Sequence, residues 1–171
     1  MKLRYAFKRT IANRTAGTEI KPEVPDGMLK KCNACKSAVF VDEVKKNAYI
    51  CPHCGNYFRV HARRRIEMIA DEGTFEEWDK TMPVSNPLSY KGYEEKVQML
   101  QEKTNLDEAI ITGKAMIGGT EVVLGVCDSR FLMASMGENV GEKIARAVEK
   151  ATEKRLPVVL FACSGGARMQ E

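Results

Sequence analysis

The sequence predicts an α/β chain headed by a small metal-binding ribbon, and three observations predict it. Two Cys-x2-Cys pairs fall in the N-terminal quarter, two β-rich runs after residue 109 are split by a glycine pair, and an amphipathic helix runs directly into a short apolar strand. At 171 residues one core should dominate, with the ribbon as its satellite. A composition of 44% hydrophobic and 29% charged residues is that of an ordinary globular protein. No apolar run is long enough to span a bilayer. The basic first ten residues are followed by no apolar stretch of signal-peptide length, so the expected location is the cytoplasm.

Residues 1–27 combine charges, Gly17, Pro22 and Pro25 without periodic apolar spacing and read as a basic arm and linker. The net charge of +4 conceals a split: residues 1–65 carry 15 Lys/Arg against 5 Asp/Glu, and residues 66–171 carry 12 against 18. The N-terminal part can therefore attract polyanions or an acidic partner surface, or present only a solvated basic face.

Residues 28–59 form the ribbon. Cys32 and Cys35 make one knuckle and Cys51 and Cys54 the second, a spacing that aims four sulfurs at one tetrahedral ion. A disulfide pair does not suit a cytosolic chain, and neither knuckle opens a helix as a redox Cys-x-x-Cys does. Four thiolates close the coordination shell, so one Zn²⁺ per chain is expected to hold structure and perform no chemistry. Residues 38–41 and 48–50 are the expected ribbon strands, joined by a loop over 42–47. His53 and His61 are surplus to the ligand set, and Cys127 and Cys163 read as small core residues.

Residues 60–105 are expected to bridge the ribbon to the main domain. Ala62, Ile66 and Ile69 share a helix face over 60–71, with Arg63, Arg64 and Arg65 between them. The stretch 81–87 is a linker, and Tyr93, Val97 and Leu100 mark a second helix. Residues 106–171 begin the main domain. Runs 109–117 and 120–128, divided by Gly118 and Gly119, form a hairpin. Val140, Ile144, Val148 and Ala151 repeat at helical spacing over 138–155. Residues 158–162 then read as a strand buried on both faces, which with the helix before it implies a crossover to a parallel partner.

Directly after that strand stands Ser164-Gly-Gly-Ala-Arg, whose glycines allow backbone N–H groups to approach a carbonyl or phosphate oxygen as the chain turns into a helix. It lacks the Lys-Ser/Thr of a P-loop and the Gly-x-Ser-x-Gly of a nucleophile elbow, so Ser164 is not a nucleophile candidate. Taken alone, the motif is equally compatible with a plain tight turn.

The ordered set of four-cysteine ribbon, Phe131-Leu-Met-Ala-Ser-Met-Gly, Val140-Gly-Glu-Lys, and Leu156-Pro-Val-Val-Leu-Phe leading into Ser164-Gly-Gly-Ala-Arg-Met-Gln-Glu resembles the carboxyltransferase β subunits of bacterial acetyl-CoA carboxylase, from about Pro22 onward. The resemblance implies a crotonase-like ββα-superhelix domain behind the zinc ribbon, and transfer of a carboxyl group from carboxybiotin to acetyl-CoA, giving malonyl-CoA for fatty-acid synthesis. It implies as partners an α subunit in a heterotetramer, the biotin carboxyl carrier protein and biotin carboxylase. By the same resemblance Ser135, Met136, Gly137, Gly165, Gly166 and Ala167 line the acyl-CoA site. Cys32, Cys35, Cys51 and Cys54 match the zinc ligands. No side chain acts as a nucleophile; backbone donors stabilise the developing enolate or oxyanion.

The family pattern continues beyond Glu171 through a helix and a second glycine pair, so the chain is expected to be a fragment without activity of its own. A second reading makes the ribbon a nucleic-acid-binding module, with Lys30, Lys31 and Arg63 to Arg65 as phosphate partners. Only Phe40, Tyr49, Tyr57 and Phe58 are available for base stacking, and some of them must build the ribbon core. A third treats the basic ribbon as a lid or docking surface for the α subunit or for CoA phosphates.

Overall fold

A computed structural model describes residues 27–171; the basic arm expected over residues 1–27 lies almost wholly outside them. The ribbon opens with β1 (Leu29–Lys31) antiparallel to β2 (Ala38–Phe40), with Lys30 opposite Val39. The chain then forms α1 (Val41–Lys46) where a loop was expected. Its acidic first turn, Asp42 and Glu43, and basic last turn, Lys45 and Lys46, both suit the helix dipole, and Val44 is the side chain it buries. The expected strand at 48–50 is likewise absent: Ala48 and Tyr49 have positive φ, and only Ile50 pairs, in a single bridge to Tyr57. Forming the second knuckle overrides the β-propensity of Tyr49 and Ile50. Cys32, Val39, Val44, Cys51 and Phe58 make the ribbon's small core.

The second helix, α2 (Ala62–Ile69), buries Ala62 and Ile66. A short strand that the sequence did not announce, β3 (Glu76–Trp78), follows it. Residues 79–86 carry no regular structure, and α3 (Tyr93–Thr104) buries Tyr93 and Val97 before ending at Asn105 in the left-handed conformation. The hairpin forms as expected from β4 (Ile110–Ile117) and β5 (Thr120–Cys127). Gly118 and Gly119, both at positive φ, make its turn, and their N–H groups donate to the Asp71 carboxylate at 3.0 and 2.8 Å.

After a left-handed turn at Leu132–Ala134, α4 (Glu138–Lys154) crosses over to β6 (Val158–Phe161), which pairs parallel with β5. The sheet order is β3-β4-β5-β6. Val123 packs on Ala147 and Ala151 of α4, whereas Val122, Leu124 and Val126 join the cluster that holds Ala62 and Ile66. Alternation along β5 thus gives α4 and α2 different faces. One expectation needs correction here. The β6 strand is not buried on both faces: it is the sheet edge, with Val158 and Leu160 39% and 47% exposed. Its apolar run signals parallel pairing, but a second neighbour is required to bury it. After β6 the chain bends at Gly166, φ 111°, and Ala167 bridges in parallel to Met136.

Candidate functional site

The four ribbon cysteines come together as their spacing requires. Their sulfurs all lie within 4.8 Å of one another, with Cys32 Sγ 3.7 Å from Cys54 Sγ and Cys35 Sγ 3.9 Å from Cys51 Sγ. A tetrahedron with metal–sulfur bonds of about 2.3 Å has edges of about 3.8 Å, which these two distances match, so the donor set suits a thiophilic ion. A backbone bond closes each knuckle: Lys36 N–H donates to Cys32 O and Gly55 N–H to Cys51 O, the latter from a glycine at φ 72°. Ser37 holds the Cys35 thiol down to about 6. At Cys54 the Asn56 amide acts downward, but burial and the neighbouring sulfurs push the thiol up to about 11. Four sulfurs this close resist joint deprotonation, and a bound dication relieves that repulsion. His53 is exposed and takes no place in the cluster.

The ribbon's aromatics divide in two. Phe58 is buried beneath Lys30, and Tyr49 faces the Arg64 guanidinium, whereas Phe40 and Tyr57 stay exposed.

The second site lies where the strands end. Met136 N–H donates to Gly166 O at 2.8 Å, Arg168 N–H to Met136 O at 3.0 Å, and Gly165 N–H to Met133 O at 3.0 Å. The two stretches singled out in the sequence, Ser135 to Gly137 and Gly165 to Ala167, are thereby joined edge to edge. Not every amide of the glycine turn remains available. Gly165 N–H is spent on Met133, and Gly166 N–H on the Ser164 hydroxyl at 3.0 Å. Ala167 N–H has no acceptor among the described residues. Gly137 serves a neighbour: a Cβ there would collide with the Glu171 carboxylate, which accepts the Glu138 N–H at the start of α4.

A cleft of about 440 Å³ opens beside the turn, walled by Arg59, Arg65, Met133, Phe161, Cys163 and Gly165. Arg65 stacks over the Phe161 ring at 5.5 Å. Cys163 is exposed on this wall and is no core residue, because β6 ends before it; Cys127 is half-buried, and burial pushes both thiols up. A larger cleft of about 570 Å³ along α2 and residues 70–73 shares no residue with the glycine turn or the cysteines.

Sequence reasoning missed the buried polar group behind the turn. Arg168 donates to Glu108 at 2.6 and 3.0 Å, to Tyr93 Oη at 2.9 Å, to Glu171 at 3.0 Å and to Ser135 O at 2.9 Å. Burial works against the guanidinium charge, but Glu108 more than offsets it and holds the pKa above the ordinary value. Burial and the Glu171 carboxylate together raise the Tyr93 hydroxyl to about 12. The one sequence signal for this network was Glu108 abutting an apolar run, a position where an unpaired carboxylate is costly.

The sequence model of the carboxyl transferase domain family matches residues 59–171. The chain belongs to that family. The acetyl-coenzyme A carboxylase carboxyl transferase subunit beta of Clostridium botulinum (strain Kyoto / Type A2) is 49% identical over 165 residues, 95% of this chain and 57% of that protein. The beta/alpha protein of Natranaerobius thermophilus is 52% identical over 151 residues, 88% of this chain and 25% of that protein. The chain spans about half the length of the curated beta subunits it matches, 57% and 53% of the first two. Among solved structures, transcarboxylase 12S with hydrolysed methylmalonyl-coenzyme A superposes with a TM-score of 0.57 at 23% identity, over 77% of this chain and 22% of that one. A single-chain long-chain acyl-CoA carboxylase gives 0.52 at 24%, over 63% and 11%. These likenesses show the fold: the four-stranded sheet with α4 is the first part of a crotonase-like carboxyl transferase domain, preceded by the four-cysteine ribbon.

Proposed function

We propose that the chain supplies the β component of an acetyl-CoA carboxylase carboxyltransferase, moving the carboxyl group of carboxybiotin, carried on a separate protein, to acetyl-CoA to give malonyl-CoA. The carrying observation is the junction of residues 133–137 with 164–168 beside a cleft bearing Arg59 and Arg65. The names of relatives near 50% identity support the same reading.

The chemistry requires removal of a proton from the thioester's α-carbon, attack of that carbon on the carboxyl carbon, and departure of the ureido nitrogen, which ends by carrying the proton as N–H. Charge appears on the thioester oxygen in this step, and a fixed backbone donor is the group that lowers its energy. Ala167 N–H is the donor the turn leaves unspent. Ser135, Met136, Gly137, Gly165 and Gly166 shape the wall around it, and Arg59 and Arg65 suit the phosphates of the carrier nucleotide.

Cys32, Cys35, Cys51 and Cys54 would hold one Zn²⁺, which supplies folding energy to a ribbon too small to be stable by its core alone. The implied partners are an α subunit, the biotin carboxyl carrier protein and biotin carboxylase, in the cytoplasm. Among the described residues no helix is long and apolar enough to cross a membrane.

The test is a transfer assay of the full natural polypeptide with its α-subunit partner, run in both directions: acetyl-CoA with carboxybiotin, and malonyl-CoA with free biotin. Transfer in both supports the reading, and its absence from an assembled complex refutes it.

A further inference from the structure

The turn at Leu132–Ala134 is wound the wrong way for L-residues. Leu132, Met133 and Ala134 have φ of 43°, 55° and 55°, three consecutive non-glycine residues in the left-handed region. Strain of this kind persists only where the surroundings over-determine it. Within the turn, Ala134 N–H donates to Phe131 O and Ser135 N–H to Leu132 O, at 2.8 and 3.1 Å. Neither bond selects the left-handed form, because a right-handed turn makes the same pair. The selection must come from outside.

One outside contact reaches the turn itself, Gly165 N–H on Met133 O, and one holds its exit, the Arg168 guanidinium on Ser135 O. The Arg168 side chain is 1% exposed, so its donors cannot turn to water, and Glu108, itself buried, takes two of them. Tyr93 Oη and Glu171 gather on the same nitrogen, Nη1, that serves Glu108, so its two N–H groups are shared among three acceptors. A planar guanidinium so anchored offers Ser135 a donor in a single orientation. The Arg168 backbone N–H also bonds Met136 O, so one residue grips the exit of the strained turn by main chain and side chain at once.

We propose that Arg168 is the positioning residue of the cleft: fixed by Glu108 and Tyr93, it holds the left-handed turn against the glycine turn and so keeps Met133 and Gly165 in the cleft wall. Its consequence for catalysis rests on the carboxyltransferase reading above, whereas its consequence for the two loops does not.

The experiment is Arg168→Lys in the full polypeptide assembled with its α-subunit partner, because lysine keeps the charge and loses the planar fork. Misplacement of this order predicts kcat per folded chain lower by about 100-fold, with KM for acetyl-CoA within about threefold. Hydrogen exchange should rise at least about tenfold in residues 131–137 and 164–168 and stay unchanged in the β4–β5 hairpin. A merely structural arginine would lower the melting temperature yet leave kcat per folded chain and the loop-to-hairpin exchange ratio at wild-type values, and that result overturns the proposal. Should Arg168→Lys not fold, Tyr93→Phe removes one contact of the fork and should give the same loop-confined rise, about fivefold; unchanged loops again overturn it. A wild-type complex that transfers no carboxyl group would refute the functional reading alone, and the exchange pattern would still decide the role of Arg168.

Discussion

Asp128, the residue after β5, accepts the backbone N–H of Ala62 at 2.8 Å and so caps a helix that begins 66 residues earlier in the chain. The local capping position, His61, makes no side-chain cap of its own. The same carboxylate takes the Arg130 backbone N–H at 3.0 Å and its guanidinium at 3.0 and 2.7 Å. The start of α2, and with it the exit from the ribbon, is thereby pinned to the end of the central hairpin.

Asp128→Ala should therefore cost about 3 kcal/mol, since it strands a buried helix N–H and a partly buried guanidinium. Burial alone would raise the Asp128 pKa, but Arg130 and the Ala62 amide hold it below the usual carboxylate range. A depressed carboxylate contributes its full stability above the unfolded-state value of about 3.9 and loses it as pH falls through the folded-state value. Urea titrations from pH 7 to 3 should show wild type weakening below about pH 4, with a shallower acid slope in Asp128→Asn. Equal slopes, or a loss under about 0.5 kcal/mol for the alanine variant, would contradict this role.

Removing the zinc proposed for the four cysteines should unfold the ribbon. Its core is five residues, two of them the clustered cysteines Cys32 and Cys51, which is far too little apolar surface to hold residues 28–58 folded. Metal analysis should find one zinc per chain. Chelation, or Cys51→Ser, should abolish exchange protection in the ribbon while the β4–β5 hairpin keeps its own. A ribbon still protected after complete zinc removal would show that the ion is not what folds it.

The parts legible in the sequence share a physical cause: their signals were local. Cysteine spacing announced the four-cysteine cluster, Gly118 and Gly119 the hairpin, and the repeat of Val140, Ile144 and Ala151 the helix α4. What escaped depended on partners distant in the chain. The β3 strand reads Glu-Glu-Trp, and only its pairing with residues 112–114 of β4 makes it a strand. The α1 helix replaces an expected loop because Val44 finds the ribbon core. The Arg168 network joins residues from 93 to 171 and leaves no periodic trace.

Ala134→Gly should stabilise the fold. Ala134 is fully buried at φ 55°, where glycine has no steric penalty and alanine does. Relief of that strain outweighs the greater entropy glycine gives the unfolded chain, for a net gain of about 0.5 kcal/mol and a rise of a degree or two in melting temperature. The right-handed alternative predicts the opposite sign, because glycine would then cost about 0.5–1 kcal/mol. Calorimetry of the two forms distinguishes them.

Gly113→Ala should detach β3. Gly113 lies in β4 opposite Glu77, and a Cβ there would strike the Glu76 carbonyl oxygen and stand 2.8 Å from the Phe75 ring. The obstruction includes backbone, so no rotamer change relieves it, and overpacking of this kind costs about 1–3 kcal/mol. The cheapest escape is loss of the short edge strand, since β4 keeps its full pairing with β5. Trp78, the single tryptophan of the chain, reports the event directly. It is half-buried at the end of β3 beneath Lys150 and Lys154, at 4.7 and 5.8 Å from its ring. Its fluorescence should shift to the red in Gly113→Ala under conditions where far-ultraviolet circular dichroism still shows the helices. An unshifted spectrum with reduced global stability would mean that β3 stays in place and the strain is absorbed by the hairpin instead.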